Sequence, residues 1–216
     1  LSLPFCNKDG VSVVDNLFSA ISALSTTGLS TVDLSSDYTF CGQLIILLLI
    51  QFGGLGYMTF SSYVMFRLTR HLGTNEAKMF HAQFAFPDKM QSDKMLGNIV
   101  NFALAFEFIG VILLYPYFLL YHVENPLWSA VFHSVSAFCT AGFSIFSDNL
   151  VQFQTDWYVN IVIAILSYMG AMGFIMMTDV IRKIRKPVYK ISFTTKVIAV
   201  ITTGLPLWST IHLYYF

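Results

Sequence analysis

The sequence is poor in charge. Only 11% of its 216 residues are Asp, Glu, Lys or Arg, against about 25% in a soluble domain. One soluble core cannot hide that deficit, so composition points to a membrane chain. The net charge is zero, which gives no electrostatic ground for a nucleic-acid partner. Cysteine is scarce: Cys6, Cys41 and Cys139 are odd in number and far apart. They match no metal spacing and no obvious disulfide framework. Leu1–Phe5 lacks a basic residue, so no cleavable signal peptide is expected there. That stretch reads instead as the last turn of a helix, and Leu213–Phe216 as a run cut short. The chain is expected to be a window on a longer protein. What it has in plenty is apolar: 56% hydrophobic and 16% aromatic residues.

The apolar background carries an internal repeat. Asp15–Ser30 (DNLFSAISALSTTGLS) aligns with Ser129–Ser144 (SAVFHSVSAFCTAGFS). Phe18/Phe132, Ser22/Ser136, Ala23/Ala137, Thr26/Thr140, Gly28/Gly142 and Ser30/Ser144 are identical. Each copy is a short apolar run that ends in Thr, one residue, then Gly. A repeat outranks local features in a first reading.

In chain order, Ser12 to Asp15 fits a capping box that starts a helix running to about Ser25. Roughly 12 helical residues span about 18 Å, too short for a bilayer core of about 30 Å. Phe40–Phe66 is long enough to span and carries Gly53, Gly54 and Gly56. Residues 71–94 are polar and mixed in charge. Leu96–Tyr121 is a second span, bearing Glu107 and Pro116. Asn125 suits an N-cap and Pro126 the first helical position. The second short helix then runs to Cys139, and Thr140–Ser144 breaks it. Trp157–Met177 spans again, with Gly170 and Gly173. Arg182–Lys190 is basic, and Lys196–Phe216 starts another span.

Eleven of the 12 Lys and Arg fall after the first and third long helices, and only Lys8 lies elsewhere. If the short helices do not cross, the two basic regions share one side, which the positive-inside rule makes cytoplasmic. The fold class expected is an all-α membrane protein. Its units are helix, re-entrant pore helix, filter loop and helix, of potassium-channel type, with the loops entering from outside. The first repeat covers 1–70, with pore helix and filter about 13–30 and second helix about 40–70. A cytoplasmic connection follows at 71–94. The second repeat covers 95–182, with pore helix and filter about 127–144. A further connection occupies 183–195, and 196–216 starts a third repeat.

Non-helical backbone at membrane depth survives only when buried in protein or lining a watery path. Successive inward carbonyls there can replace the hydration shell of a cation. The expected ion-binding residues are Thr26, Thr27, Gly28 and Leu29, with Thr140, Ala141, Gly142 and Phe143. Glycine permits backbone angles that a side chain forbids. The threonines can add a hydroxyl, and each short helix points its carbonyl end at the cation. Ser30 and Ser144 flank the site.

On these residues the chain resembles the Trk/Ktr/HKT potassium-transporter superfamily. The match is STTGLS followed by IILLLIQFGGLGYMTF, and FHSVSAFCTAGFS followed by Asp148-Asn149. It looks most like the bacterial Ktr and Trk membrane subunits. The resemblance implies four membrane–pore–membrane repeats around one pore, of which this chain holds the first two. It implies that Gly28 and Gly142 are filter glycines, and that glycine at both favours potassium over sodium. It also implies a homodimer, a cytoplasmic ring of nucleotide-binding regulatory subunits, potassium as the transported ion and no organic cofactor in this chain. The loops 71–94 and 182–195 would face such a ring.

Other features have plainer readings beside functional ones. Thr202-Thr-Gly204 repeats the letters of Thr26-Thr-Gly28 inside a spanning run and reads as a decoy. Gly53/Gly170 and Gly56/Gly173 read as close helix packing or as a surface thinned for ions. Glu107 is a possible functional intramembrane acid, or has a partner on a neighbouring helix, with Asn101 or a missing segment as candidates. His133 reads as packed and hydrogen-bonded. Asp33 and Asp148, with Asp37 and Asp156, either concentrate cations at an outer mouth or are solvated loop acids. Arg182–Lys190 sets topology or touches anionic lipid. A two-pore-domain potassium channel has the same helix order, but its filters carry a second glycine where Ser30 and Ser144 stand. An intramembrane serine hydrolase would use Ser136 or Ser144 with His133, but lacks an oxyanion site. No enzyme activity is expected.

Overall fold

The computed structural model describes residues 1–3, 5–8, 10–71, 92–172, 176, 179, 183 and 191–215, with backbone only at 57–71, 92–99, 194, 207 and 213–215. Among the described residues the chain is helical, apart from one isolated bridge between Asn7 and Tyr38. The elements are α1 (Val13–Leu24), α2 (Phe40–His71), α3 (Ser92–Leu120), α4 (Pro126–Phe138), a 3-10 turn (Val151–Phe153), α5 (Trp157–Ala171) and α6 (Phe193–Tyr215). At 1.5 Å per residue, the 12 residues of α1 and 13 of α4 reach only about 18–20 Å, while α2 and α3 reach about 45 Å. Among the described residues, Val100–Leu120 is long and apolar enough to cross a bilayer, and Phe40–Gly56 and Trp157–Ala171 are shorter apolar runs.

The chain forms two compact units: Leu1–Tyr57 with Val100–Gly170, and Met58–Ile99 with Ala171–Phe216. The first unit holds both copies of the repeated stretch. Its largest apolar cluster packs Leu114 and Phe118 of α3 and Ala130 and Ala137 of α4 on Val159, Val162 and Leu166 of α5. Two contacts tie the start of α4 to the start of α2. Trp128 donates its indole N–H to Gln43 Oε1 at 2.8 Å, and its ring lies 4.6 Å from that of Phe40. In the second unit, buried Asp179 accepts the Ser192 N–H (3.1 Å) and the Thr195 hydroxyl (2.7 Å) at the start of α6.

Burial in α1 is inverted. Its buried residues are Asn16, Ser19, Ser22 and Ala23, while Val13, Val14, Leu17, Ile21 and Leu24 are exposed. In water such a helix would turn its apolar side inward. Only 28% of the apolar window in α3 is buried, which likewise leaves a wide apolar face outward. Both helices are built for surroundings less polar than water.

Local signals explain most helix ends. Ser12 accepts the Asp15 N–H at 3.1 Å and donates its hydroxyl to the Asp15 carboxylate at 2.6 Å, as the capping box predicts. Asn125 holds the N-cap position with Pro126 first in the helix, as expected, but it is left-handed (φ 48°) and makes no side-chain cap bond; Pro126 suits that first position because its missing N–H is not needed there. Leu1–Leu3 and Phe5 are not helical. Instead Cys6 accepts the Thr39 N–H at 3.1 Å, and Phe5 accepts the Thr39 hydroxyl at 2.7 Å, which draws this arm alongside the start of α2. Thr202–Gly204 lies within α6 with no break, as a decoy should. Gly173, most of 71–94 and most of 182–190 lie outside the described residues.

Candidate functional site

The two copies of the repeat end in the same hydrogen-bonded motif. After α1, the Thr26 N–H bonds to Ala23 O (3.2 Å) and the Thr27 N–H to Ser22 O (2.9 Å). After α4, the Thr140 N–H bonds to Ala137 O (3.0 Å) and the Ala141 N–H to Ser136 O (2.8 Å). This is a Schellman pair, which requires a left-handed residue just past the cap, usually glycine. Here that residue is threonine, at φ 51° for Thr26 and 52° for Thr140. A β-branched side chain is a true outlier there. Two residues later the backbone turns left-handed again, at Gly28 (φ 81°) and Gly142 (φ 72°). In a strand, successive carbonyls point to opposite sides. A left-handed residue at every second position reverses alternate peptide planes, so successive carbonyls can share one side.

The threonine hydroxyls are placed alike. Thr26 Oγ1 donates to Ser25 O and Thr140 Oγ1 to Cys139 O, both at 2.8 Å. Each proton is thereby engaged, and the oxygen's lone pairs are left for another partner. Both short helices end here with no basic residue in the last turn, so their own last turns leave the negative dipole ends unneutralised.

The two loops meet. A side chain on Gly28 would sit 2.4 Å from Ala141 O and 3.2 Å from Gly142 Cα, and one on Gly142 would sit 3.6 Å from Gly28 Cα. The long helices wedge against the short-helix ends at matching positions. A Cβ on Gly53 would meet Leu24 O at 2.1 Å, and one on Gly170 would meet Phe138 O at 1.7 Å. Leu24 and Phe138 are the last residues of α1 and α4. Gly54 faces Cys139, so α2 touches the ends of both short helices. The glycines permit close packing here; Gly56 meets open space.

Each loop is tied to its own helix by the serine the copies share. In the first, the Leu29 N–H donates to Ser22 Oγ at 3.0 Å. In the second, Ser136 Oγ donates to Phe143 O at 2.6 Å. One lone pair of the Phe143 carbonyl is therefore engaged inside the protein. Past the loops the copies differ. Ser30 closes its own turn through Val32 (2.6 and 3.3 Å), and Thr31 donates to Asp15 at 2.7 Å. Ser144 instead bonds to His133 Nε2 at 2.8 Å and accepts the Phe146 N–H at 3.0 Å.

The acids take distinct roles. Glu107 is buried on α3, and its carboxylate accepts from Gln51 Nε2 of α2 at 2.9 Å. Gln51 is the partner on a neighbouring helix that the plainer reading expected; Asn101, the candidate named for it, is exposed six residues away on α3 itself. The Glu107 carbonyl also accepts the Ser134 hydroxyl at 2.6 Å, which links α3 to α4. Asp33 and Asp37 cap one turn: Asp33 Oδ1 accepts the Ser35 N–H at 2.8 Å and Asp37 Oδ2 the Asp33 N–H at 2.9 Å. Asp148 is exposed and lines a cavity of about 790 Å³ with Glu124, Gln43 and Trp128. Asp156 starts α5 by accepting the Tyr158 and Val159 N–H groups. Together with the Tyr117 hydroxyl, which comes first in effect, they hold its carboxyl below the usual carboxylate range.

The geometry does not assemble a hydrolase. His133 meets Ser144, not Ser136; both are buried, with the His133 ring held among Phe146, Phe118 and Phe132. Among the described residues no group of three His, Cys, Asp or Glu could hold a metal ion. Sequence reading missed Gln51 as the partner of Glu107, and it considered His133 with Ser136 or Ser144 only as a hydrolase pair, not as a loop fastening. It noted Ser22 as shared without giving it a task.

Comparison with known proteins matches the family TrkH, cation transport protein, over residues 2–211. Ktr system potassium uptake protein B of Vibrio alginolyticus is 34% identical over 212 residues, 98% of this chain and 47% of that protein. Its namesake in Bacillus subtilis is 34% identical over 186 residues, 86% of this chain and 42% of the relative. Potassium/sodium uptake protein NtpJ of Enterococcus hirae is 31% identical over 208 residues, 95% and 46%. The chain thus spans about half the length of the curated relatives it matches. The family and these relatives are cation transporters, not enzymes.

Proposed function

The chain belongs to the TrkH family of cation transport proteins, and from that premise we propose that it is part of a membrane subunit that takes potassium into the cell through a filter of backbone carbonyls. One observation carries the reading: two equivalent loops, each left-handed at a threonine and again at a glycine, meet at the carbonyl ends of two short helices. A potassium ion entering there exchanges water for peptide oxygens of Thr26–Leu29 and Thr140–Phe143, with the Thr26 and Thr140 hydroxyls at one end. The negative helix ends favour the cation and disfavour anions. Two loops close about half a ring. The half-length match to the relatives leaves room for two further repeats to complete it.

In this reading α1 and α4 are re-entrant pore helices that dip from the outside, and α2, α3 and α5 are their flanking helices. The repeats run 1–70 and 95–182, joined by the cytoplasmic connection 71–94, with 183–195 leading to a third repeat. The inverted burial of α1 supports it, because that apolar face needs lipid or a neighbouring repeat. Its place is the cell membrane, in contact with lipid, as a homodimer. The printed name "Ktr system" of the relatives favours further components, and we assign the cytoplasmic loops to a nucleotide-binding regulatory ring. A two-pore-domain channel is not favoured, since Ser30 and Ser144 stand where its second glycine belongs. Selectivity is the finer claim, because one relative is named for both potassium and sodium. Its test is Gly28→Ser and Gly142→Ser in the full-length protein, with potassium and sodium uptake measured side by side. Relaxed discrimination is expected, and unchanged discrimination in both variants rejects the filter.

A further inference from the structure

The second loop has a fastening that the first lacks. His133 is 2% exposed and Ser144 8%. His133 Nδ1 lies 2.7 Å from Ser129 O, and Nε2 lies 2.8 Å from Ser144 Oγ. A carbonyl only accepts, so Nδ1 carries the proton and donates to Ser129. Nε2 is then the acceptor, and the Ser144 hydroxyl donates to it. Ser144 Oγ in turn accepts the Phe146 N–H at 3.0 Å. The ring is fixed by stacking on Phe146 (4.4 Å, 27°) and by the edges of Phe118 and Phe132. Both ring nitrogens and the Ser144 hydroxyl are used, and neither the ring nor the hydroxyl can turn without losing a bond.

The repeat makes a comparison available inside one molecule. The position equivalent to His133 is Ser19. Ser19 is fully buried, and its hydroxyl has no hydrogen-bond partner. Ser30, equivalent to Ser144, is exposed and bonds only within its own turn. The first loop is tied outside by the exposed Thr31–Asp15 bond instead. Two loops of near-identical backbone therefore differ in how firmly their outer arms are held.

We propose that His133 is a positioning residue for the second filter loop, fixing Gly142 and Phe143 through Ser144 so that their carbonyls keep the spacing that discriminates potassium from sodium. This deepens the filter reading and rests on it. Ser144 holds the chain one residue past Phe143, whose own carbonyl is held by Ser136. The loop is thus pinned at its last proposed ligand and again one residue past it. His133 touches no ion and acts only through the serine. The second loop is the stiff half of the pair and the first the compliant half.

The test uses the full-length protein in cells without other potassium uptake, with uptake of potassium and sodium measured for each variant. Asn ends at the level of the ring Nδ1, so His133→Asn keeps the Ser129 bond and loses Ser144. Gln reaches the level of Nε2, so His133→Gln keeps an acceptor for Ser144. Ser144→Ala removes the same bond by deleting one oxygen. Losing one hydrogen bond predicts a drop of about 2- to 10-fold in potassium preference for His133→Asn and Ser144→Ala, no further drop in the double variant, and near-native preference for His133→Gln. A role in packing alone would give Asn and Gln the same behaviour, and that result overturns the proposal. So does native preference in a folded Ser144→Ala protein, which carries the test if His133→Asn does not accumulate. Gly142→Ser runs beside them. If it relaxes preference while Ser144→Ala does not, this inference fails and the filter stands. If none of the variants changes preference, the filter reading fails with it.

Discussion

The two loop glycines look equivalent in sequence, yet the structure predicts that alanine is far worse at one than at the other. Both are left-handed, at φ 81° and 72°, so alanine at either costs about 1–2 kcal/mol of backbone strain. At Gly142 that is the main cost, because the new Cβ meets Gly28 Cα at an ordinary 3.6 Å. At Gly28 the Cβ would sit 2.4 Å from the Ala141 carbonyl oxygen. Backbone cannot swing aside as a flexible side chain can, so one loop must shift by about 1 Å, with an overpacking cost of about 1–3 kcal/mol more. Gly28→Ala should therefore cost about 2–5 kcal/mol against about 1–2 for Gly142→Ala. The displaced oxygen is one of the proposed ligands, so discrimination should suffer with stability. The assay is thermal unfolding in detergent together with potassium and sodium uptake in a strain that depends on the protein for potassium. Gly28→Ala should unfold several degrees earlier and lose more preference for potassium. Equal damage at the two positions, or greater damage at Gly142, would refute the idea that the loops face each other asymmetrically.

Other perturbations follow from the same geometry. Thr26→Gly and Thr140→Gly relieve about 1–2 kcal/mol of left-handed strain and return up to about 1 kcal/mol as unfolded-chain entropy. Stability should hold or rise while the concentration of potassium for half-maximal uptake increases, because a hydroxyl ligand is gone; unchanged affinity would mean the threonines are merely tolerated. Gly53→Ala and Gly170→Ala place a methyl within 2.1 and 1.7 Å of a short-helix carbonyl, so each should cost about 1–3 kcal/mol or more in a melting experiment, and native melting of either would contradict the wedge. Glu107→Gln keeps a hydrogen bond to Gln51 and should melt near the native temperature. Glu107→Leu strands the Gln51 amide and should cost about 1–3 kcal/mol; if Gln51→Leu restores the loss in the double variant, the two act as a pair.

Much of the candidate site was legible because it repeats. A short apolar run ending in Thr-x-Gly, written twice, reveals a helix that stops and a backbone that must bend. The Ser12–Asp15 box marks the start of α1 for a local reason, since both groups lie within one turn. Asn125 was legible as the N-cap position before Pro126, but not its left-handed backbone or the lack of a side-chain cap bond. Leu1–Phe5 looked helical by composition, while Leu1–Leu3 and Phe5 are not helical and Phe5, Cys6 and Lys8 bond to residues 37 and 39 instead. A partner for Glu107 on a neighbouring helix was expected, but its identity was not legible: Gln51 is 56 residues away, and the named candidate Asn101 lies on the same helix as the acid.

Sequence alone determined the repeat, the charge deficit, the shortness of α1 and α4, and the glycines at which the chain can turn left. These are properties of composition and of spacing along one chain, and they need no neighbour to be true. Tertiary structure decided which groups meet. It brought Gly28 against Ala141 and Gly142, seated Gly53 and Gly170 on the last carbonyls of the short helices, and gave the second loop a histidine fastening where the first has a bare serine. Those contacts join residues up to 114 positions apart. They depend on packing that no local periodicity encodes, which is why two stretches so alike in letters are held in unlike ways.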